Sequence, residues 1–442
     1  MTRLIEWRRL VAALFLIGNG GALASAQEVT PQDDLHAAVA ALQPGDELVM
    51  AGGVYNLNRS LIINLYGTAA EPIVIRARTG EVPIIRPTSD SWYTVDIDGA
   101  AYVELHGIEI DGGVQGIRMR EADYITVADC EIHNTRDVAL AVNWTGTYTG
   151  LRLLRNHIHH TDETGEGMYL GCNNDFCRVE NSLIDSNYIH HTNGPGVTQG
   201  DGIELKEGSS GNIISNNVIH DTNYPGILTY STVGNGPPNV IEGNVMWNSN
   251  ENGMQVAADA IVRNNIIIGA PVAFQRHQAG SPSNLEFVNN TVIVPGNAIN
   301  LRDVSGSVVI ANNAVYSQSG TAINVISGDL SQLTVSGNVG QGGITGVAGG
   351  FIEGNGLTAD FINPNYQGPQ IDLFPALGSA LIGAADPAYA PAVDFNGDAR
   401  TTSVDAGAYA WQNAGNPGWP LAEDFKGANV LRPNPPTNLM AQ

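Results

Sequence analysis

The chain has 442 residues, 44 Asp plus Glu against 20 Lys plus Arg, a formal net charge of −24, 52 glycines and 7% aromatic residues. No basic stripe is available to neutralise phosphates, so a nucleic-acid partner is excluded. A chain this long has room for two or three ordinary domains, but a continuous repeat argues for one elongated body.

Residues 1–26 read as an export signal. Arg3, Arg8 and Arg9 form a basic start, Leu10 to Ile17 an apolar run, and Ala24-Ser25-Ala26 a small-residue cleavage site. The run is too short for a membrane span. The mature chain is expected to be secreted or periplasmic, away from any membrane, with a charge of −26 once the signal's net +2 is gone.

Residues 27–55 are expected to cap the entry. Leu35 to Leu42 after Pro31-Gln32-Asp33-Asp34 reads as a short amphipathic helix that plugs exposed strand edges. Residues 56–345 form the repeat core, and 346–442 the closing coils, cap and tail. The core's recurring column holds Gly107, Cys130, Asn156, Asn187, Asn217, Asn244, Asn265, Asn290, Asn313 and Asn338, spaced by 21 to 31 residues. That is the period of a solenoid coil. Short Val-, Ile-, Thr- and Asn-rich segments alternating at period two predict strands, and Asn at one bend per coil predicts a hydrogen-bonded ladder. The fold expected is an all-β, single-domain, right-handed parallel β-helix of about ten or more coils, with handedness taken from the usual rule for parallel crossovers.

The strand after each Asn bend carries the functional signal. Its copies include Gly116 to Arg120, Ala139 to Asn143, Gly167 to Gly171, Gly202 to Lys206, Gly226 to Tyr230, Gly253 to Ala257, Ala273 to His277 and Ala298 to Arg302. By alternation one outward column reads Arg118, Ala141, Tyr169, Glu204, Leu228, Gln255, Gln275, Asn300 and Asn324. The second reads Arg120, Asn143, Gly171, Lys206, Tyr230, Ala257, His277, Arg302 and Ile326. Tyr169 and Tyr230 flanking Glu204 and Lys206 suit a sugar chain lying across the coils. Asn143, Gln255, Gln275, Arg276, His277 and Arg302 would serve further subsites. The longest insertions, Thr161 to Glu166 and Thr192 to Asp201, would wall a cleft here.

Glu166 and Asp201 fall at equivalent positions one coil apart and, with Glu204, make an oxygen-ligand set for a hard cation such as Ca2+; solvated acidic loops are the plainer reading. Cys172 and Cys177 are expected to form a small-loop disulfide. Cys130, in an Asn position of the ladder, is expected to be a buried small side chain. His133, His159, His190, His220 and Trp247 share one outward column, with His160 and His191 beside it. They read as a stacked ring ladder, or alternatively a second sugar-contacting face. Asp394, Asn396 and Asp398 read as a turn held by side-chain hydrogen bonds rather than a metal loop.

The opening phrase Leu42 to Tyr55 and the closing pair Asp394 to Arg400 and Val404 to Tyr409 resemble those of secreted β-helix polysaccharide-processing proteins. From about residue 40 to 410 the chain resembles the right-handed β-helix polysaccharide lyases, nearest to the family containing chondroitinase B and alginate lyases. The resemblance implies calcium held by carboxylates, a lysine that removes the C5 proton and an assisting arginine. The matching stretch is Gly202 to Lys206 with Gly208-Ser209-Ser210. The family's Glu-x-Glu, its lysine five residues on and its arginine in the next coil are replaced here by Asp201, Glu204 and a closer Lys206, with Tyr230 in the next coil.

Independently of that resemblance, abstracting a proton beside a carboxylate requires a cation or positive group to offset developing charge. Lys206 is the candidate base, Tyr230 the donor to the departing oxygen, and Tyr169 a sugar-positioning group; a surface lysine paired with Glu204 or Glu207 is the plainer alternative. The reading is a monomeric lyase acting on an acidic polysaccharide. A β-helix hydrolase using Glu166, Asp201 and Glu204, a uronate epimerase and a noncatalytic glycan-binding protein stay open.

Overall fold

In a computed structural model of the chain, the described residues are 26–274, 281–368, 371–401 and 403–418. Residues 1–25, nearly all of the expected export signal, and the tail beyond Gly418 lie outside them. Each coil adds one strand to each of three parallel sheets, which hold 13, 13 and 12 strands among the described residues. The first sheet runs from Ala26–Val29 to Leu333–Ser336, the second from Gly53–Leu57 to Phe351–Glu353, and the third from Leu61–Ile63 to Ile344–Thr345. Alternation drives Ile, Val and Leu inward from all three, so one apolar core runs the length of the stack. A six-residue helix, Leu35–Ala40, is N-capped by Asp34 and buries Leu35, Ala38 and Val39. It packs against Leu61–Ile63, the end strand of the third sheet. Ahead of it the chain already forms a strand, Ala26–Val29, paired with Glu47–Met50.

The corner between the first and second sheets is the polar spine of the fold. Asn156, Asn187, Asn217, Asn244, Asn265, Asn290 and Asn313 each donate their backbone N–H and Nδ2 to Oδ1 of the next Asn, at 2.9–3.1 Å. Each Nδ2 also donates to a carbonyl one coil back, as Asn217 does to Ile184. The expected ladder is therefore present, with one correction. Gly107 belongs one position earlier, in a column that includes Asp129, Arg155, Ser186, Asn216, Asn264, Asn289 and Asn312, all at positive φ. Glycine, Asn and Asp tolerate that left-handed turn best. The ladder position in that coil is Ile108, whose carbonyl accepts from Glu131 N as Cys130 O does from His157 N. A second, shorter ladder, Ser182, Asn212 and Asn239, was not anticipated.

After the last coil the chain turns back over the outside of the second sheet. Leu357, Phe361, Leu373, Phe374, Leu381, Val404 and Tyr409 form a second core with Val245, Trp247, Ile266, Ile268 and Tyr316. Three positive-φ asparagines fasten it: Asn264 Nδ2 donates to Val393 O, Asn289 Nδ2 to Asp405 O and Asn312 Nδ2 to Asp386 O, each at 2.9 Å. Asp394 accepts from the amides of Asn396, Asp398 and Ala410, so it closes a turn, as its sequence context suggests.

Candidate functional site

The third sheet aligns the candidate residues. Arg118 pairs with Ala141, Ala141 with Tyr169, Tyr169 with Glu204, Glu204 with Leu228 and Leu228 with Gln255. In the next coil Gln255 pairs with Ala273, so the expected alignment with Gln275 is two residues out of register. Gln275, Arg276 and His277 lie outside the described residues. Asn143 is half-buried two coils before Lys206, Gln255 is buried and accepts from Asn252 Nδ2 at 3.4 Å, and Arg302 is exposed about four coils from Lys206. These three do not join the central cluster.

Glu166 and Asp201 sit at the corner leading into the third sheet, stacked one coil apart: Gly167 N donates to Asp201 O as Ala139 N does to Glu166 O. Oxygens of Glu166, Asp201 and Glu204 lie within 4.8 Å of one another. Lys206 Nζ is 2.5 Å from Glu204 Oε1 and 3.3 Å from Tyr230 Oη. It also lies 4.7 Å from the ring centre of Tyr169 and 4.8 Å from that of Tyr230. Tyr230 Oη donates to Glu204 Oε1 at 3.2 Å. Gly171, at φ +97°, makes room for this lysine, since a Cβ there would stand 3.0 Å from Lys206 Cβ.

The site is buried, not the open wall the outward columns suggest. Glu166, Asp201, Glu204, Glu207, Lys206 and Tyr230 all expose 4% or less of their surface. Burial pushes Glu166 up to about 7 and raises the Asp201 and Glu204 carboxyls above their ordinary range, neighbouring carboxylates adding to the rise and Lys206 opposing it at Asp201 and Glu204. Burial and the surrounding carboxylates also raise Tyr169 and Tyr230, so both phenols keep their protons. Thr164 Oγ1 stands 2.7 Å from Glu166 Oε2. Glu166 Oε1, both Asp201 oxygens and Glu204 Oε2 are buried without hydrogen-bond partners. Three carboxylates that converge, each with an unpartnered buried oxygen, fit a hard divalent cation, which prefers oxygen ligands. Glu207, which the sequence offers only as a surface partner for Lys206, also has both oxygens buried and unpartnered.

Cys172 and Cys177 form the expected disulfide, and Cys130 is a buried free thiol pushed up to about 12 by desolvation. On the second sheet the imidazoles of His133, His159, His190 and His220 stack at 4.9–5.0 Å and end on Trp247 at 4.4 Å. The ring ladder is therefore present. Glu131 with His157 and His159, and Glu109 and Asp111 with His133, form two further groups with divalent-ligand chemistry.

Lys206 also stands out by rarity, since the chain has only two lysines, Lys206 and Lys426. Among the described residues no helix is long and apolar enough to cross a membrane.

Residues 14–168 match the Pel9A-like right-handed β-helix region, and residues 180–303 the right-handed β-helix region. A search of curated proteins finds no match. The structure resembles that of pectate lyase Pel9A at 17% identity and a TM-score of 0.53, over 89% of this chain and 98% of that one. It resembles XylC, solved in complex with xylose, at 10% identity and a TM-score of 0.59, over 88% and 98%. The chain is thus a right-handed parallel β-helix with the fold of pectate lyase Pel9A.

Proposed function

We propose that the protein is an exported polysaccharide lyase that cleaves a uronate polymer by β-elimination. The observation that carries this reading is the placement of Lys206 Nζ, held between two tyrosine rings, against Tyr230 Oη and at the edge of a three-carboxylate cluster.

Lys206 takes the proton beside the uronate carboxylate, and the released electron pair forms the C4–C5 double bond as the C4–O bond breaks. Tyr230, whose proton is firmly held, gives it to the departing oxygen. The 3.3 Å contact between Nζ and Oη then returns the proton from Lys206 to Tyr230 and resets both groups. Tyr169 supplies a face for the sugar ring. Glu166, Asp201 and Glu204 would hold a divalent cation, with Ca2+ the proposed ion. Bound there, it would neutralise the substrate carboxylate and the acidic wall.

Hydrolysis, which needs two carboxyl groups flanking the scissile bond, is less favoured because it leaves Lys206 and its contact with Tyr230 without a role. The test is ultraviolet absorbance of unsaturated ends formed from a panel of uronate polymers, in calcium and in chelator, for wild type and Lys206→Ala. A signal with one polymer, lost in the variant, supports the reading. Shortened chains with saturated ends, or unchanged chain length with epimerised units, would overturn it.

A further inference from the structure

Three coils from Glu204 in the same outward column, Arg118 is clamped between two aromatic rings. Its guanidinium carbon lies 4.5 Å from the ring centre of Tyr93 and 4.9 Å from that of Trp144. Its environment differs from that of its neighbour in sequence. Arg120 spends its charge on Asp96 at 2.6 Å and Asp98 at 2.8 Å. Arg118 makes no ion pair among the described residues, and its Nε is buried without a hydrogen-bond partner. It stands on the face that carries Lys206.

Trp144 is 47% exposed, yet its backbone is fixed. Its N–H donates to Oη of the fully buried Tyr148 at 3.1 Å. The strand that follows, Gly146–Thr149, pairs with Cys177–Glu180, which begins at the disulfide beside the candidate site. An exposed indole on a fixed backbone is a stacking platform for a sugar ring, and Arg is the side chain suited to grip a carboxylate in two-pronged fashion. With coils about 4.8 Å apart, Arg118 is about 14 Å along the sheet from Glu204, close to three sugar residues of an extended chain.

We propose that Arg118, Tyr93 and Trp144 form a distal subsite that binds the carboxylate of a uronate residue in the same chain that reaches Lys206. This rests on the reading of the Lys206 site as the place of cleavage. The guanidinium, aligned by the two rings, donates to the uronate carboxylate while the open face of Trp144 stacks on its ring.

The test is calorimetric titration in the Lys206→Ala background, which leaves the oligosaccharide intact, with and without Arg118→Ala or Trp144→Ala. The ligands are a uronate hexasaccharide, a uronate disaccharide and a neutral hexasaccharide, and each variant's melting temperature is checked first. Loss of a charge-assisted contact predicts that Arg118→Ala lowers the affinity for the uronate hexasaccharide by about 10-fold or more and collapses its advantage over the disaccharide. Unchanged hexasaccharide affinity would overturn the subsite. An equal loss for the neutral hexasaccharide would overturn its carboxylate specificity. Failure of wild type to form unsaturated ends would sink the lyase reading but leave this binding result standing; failure of any oligouronate to bind would sink both.

Discussion

Lys206 and Tyr230 stand in the same outward column one coil apart, both buried, and their Nζ and Oη meet at 3.3 Å. In the proposed mechanism this contact makes each group the other's proton partner. Tyr230→Phe removes the donor to the leaving oxygen while keeping the ring against Nζ. We expect kcat to fall by about 10²- to 10⁴-fold with KM little changed. Initial rates of unsaturated-end formation check this, and a variant within threefold of wild type would remove Tyr230 from the chemistry.

The unpartnered oxygens of Glu166, Asp201 and Glu204 make cation binding a stability matter. Calcium at a hundredfold excess over its Kd is expected to stabilise the fold by about 2.7 kcal/mol, read as a rise in melting temperature reversed by chelator. In Asp201→Asn the rise should shrink or vanish. A wild-type melting temperature indifferent to both calcium and chelator would show that the cluster holds protons instead.

The ring ladder sets a pH dependence. His190, desolvated and surrounded by other imidazoles, is lowered to about 2, and His159 and His160 are lowered too. Unfolded histidine titrates near 6.5. Below that the unfolded chain takes up protons that the folded ladder refuses, so stability rises with pH and is lost as pH falls from about 6.5 toward about 2. Glu131 and Asp221, which face the ladder and are lowered through their histidine partners, add acid sensitivity only in the carboxylate range. The melting temperature should drop between about pH 7 and about pH 5, and less so in His190→Phe, which keeps the stack. Equal slopes in the two proteins would count against this account.

The asparagine spine is expected to be intolerant. Asn217 accepts from Asn187 twice and donates to Ile184 O and Asn244 Oδ1, all in the interior. Asn217→Ala strands several of those groups without water, at a cost of about 1–3 kcal/mol for each group left unsatisfied. Denaturant unfolding measures it, and a loss below about 1 kcal/mol would mean that the ladder relaxes around the gap.

Much of the fold was legible because the repeat writes the same physical demand many times. A polar side chain at one buried bend must find partners in the coils above and below, so Asn156 to Asn338 announce themselves. Register was less secure. Shifting Ala273 to Gln275 by two residues keeps inside residues inside, so alternation alone could not detect the slip. Burial of the site was hidden for another reason: strand alternation says which way Glu204 and Lys206 point, not which neighbouring side chains, such as Tyr169 and Tyr230, close around them. The Arg118, Tyr93 and Trp144 cluster is not legible because both rings lie between strands, where no period assigns a direction.

The three bonds from Asn264, Asn289 and Asn312 to the returning chain bear on how the molecule comes apart. A stack of coils ordinarily frays from its end, each layer leaving without asking the next. Here a single segment is stitched to three successive layers, so none of them can peel away before the stitching is torn. The closing third of the rod is thereby made to open as one block, in the manner of a laced seam rather than a deck of cards.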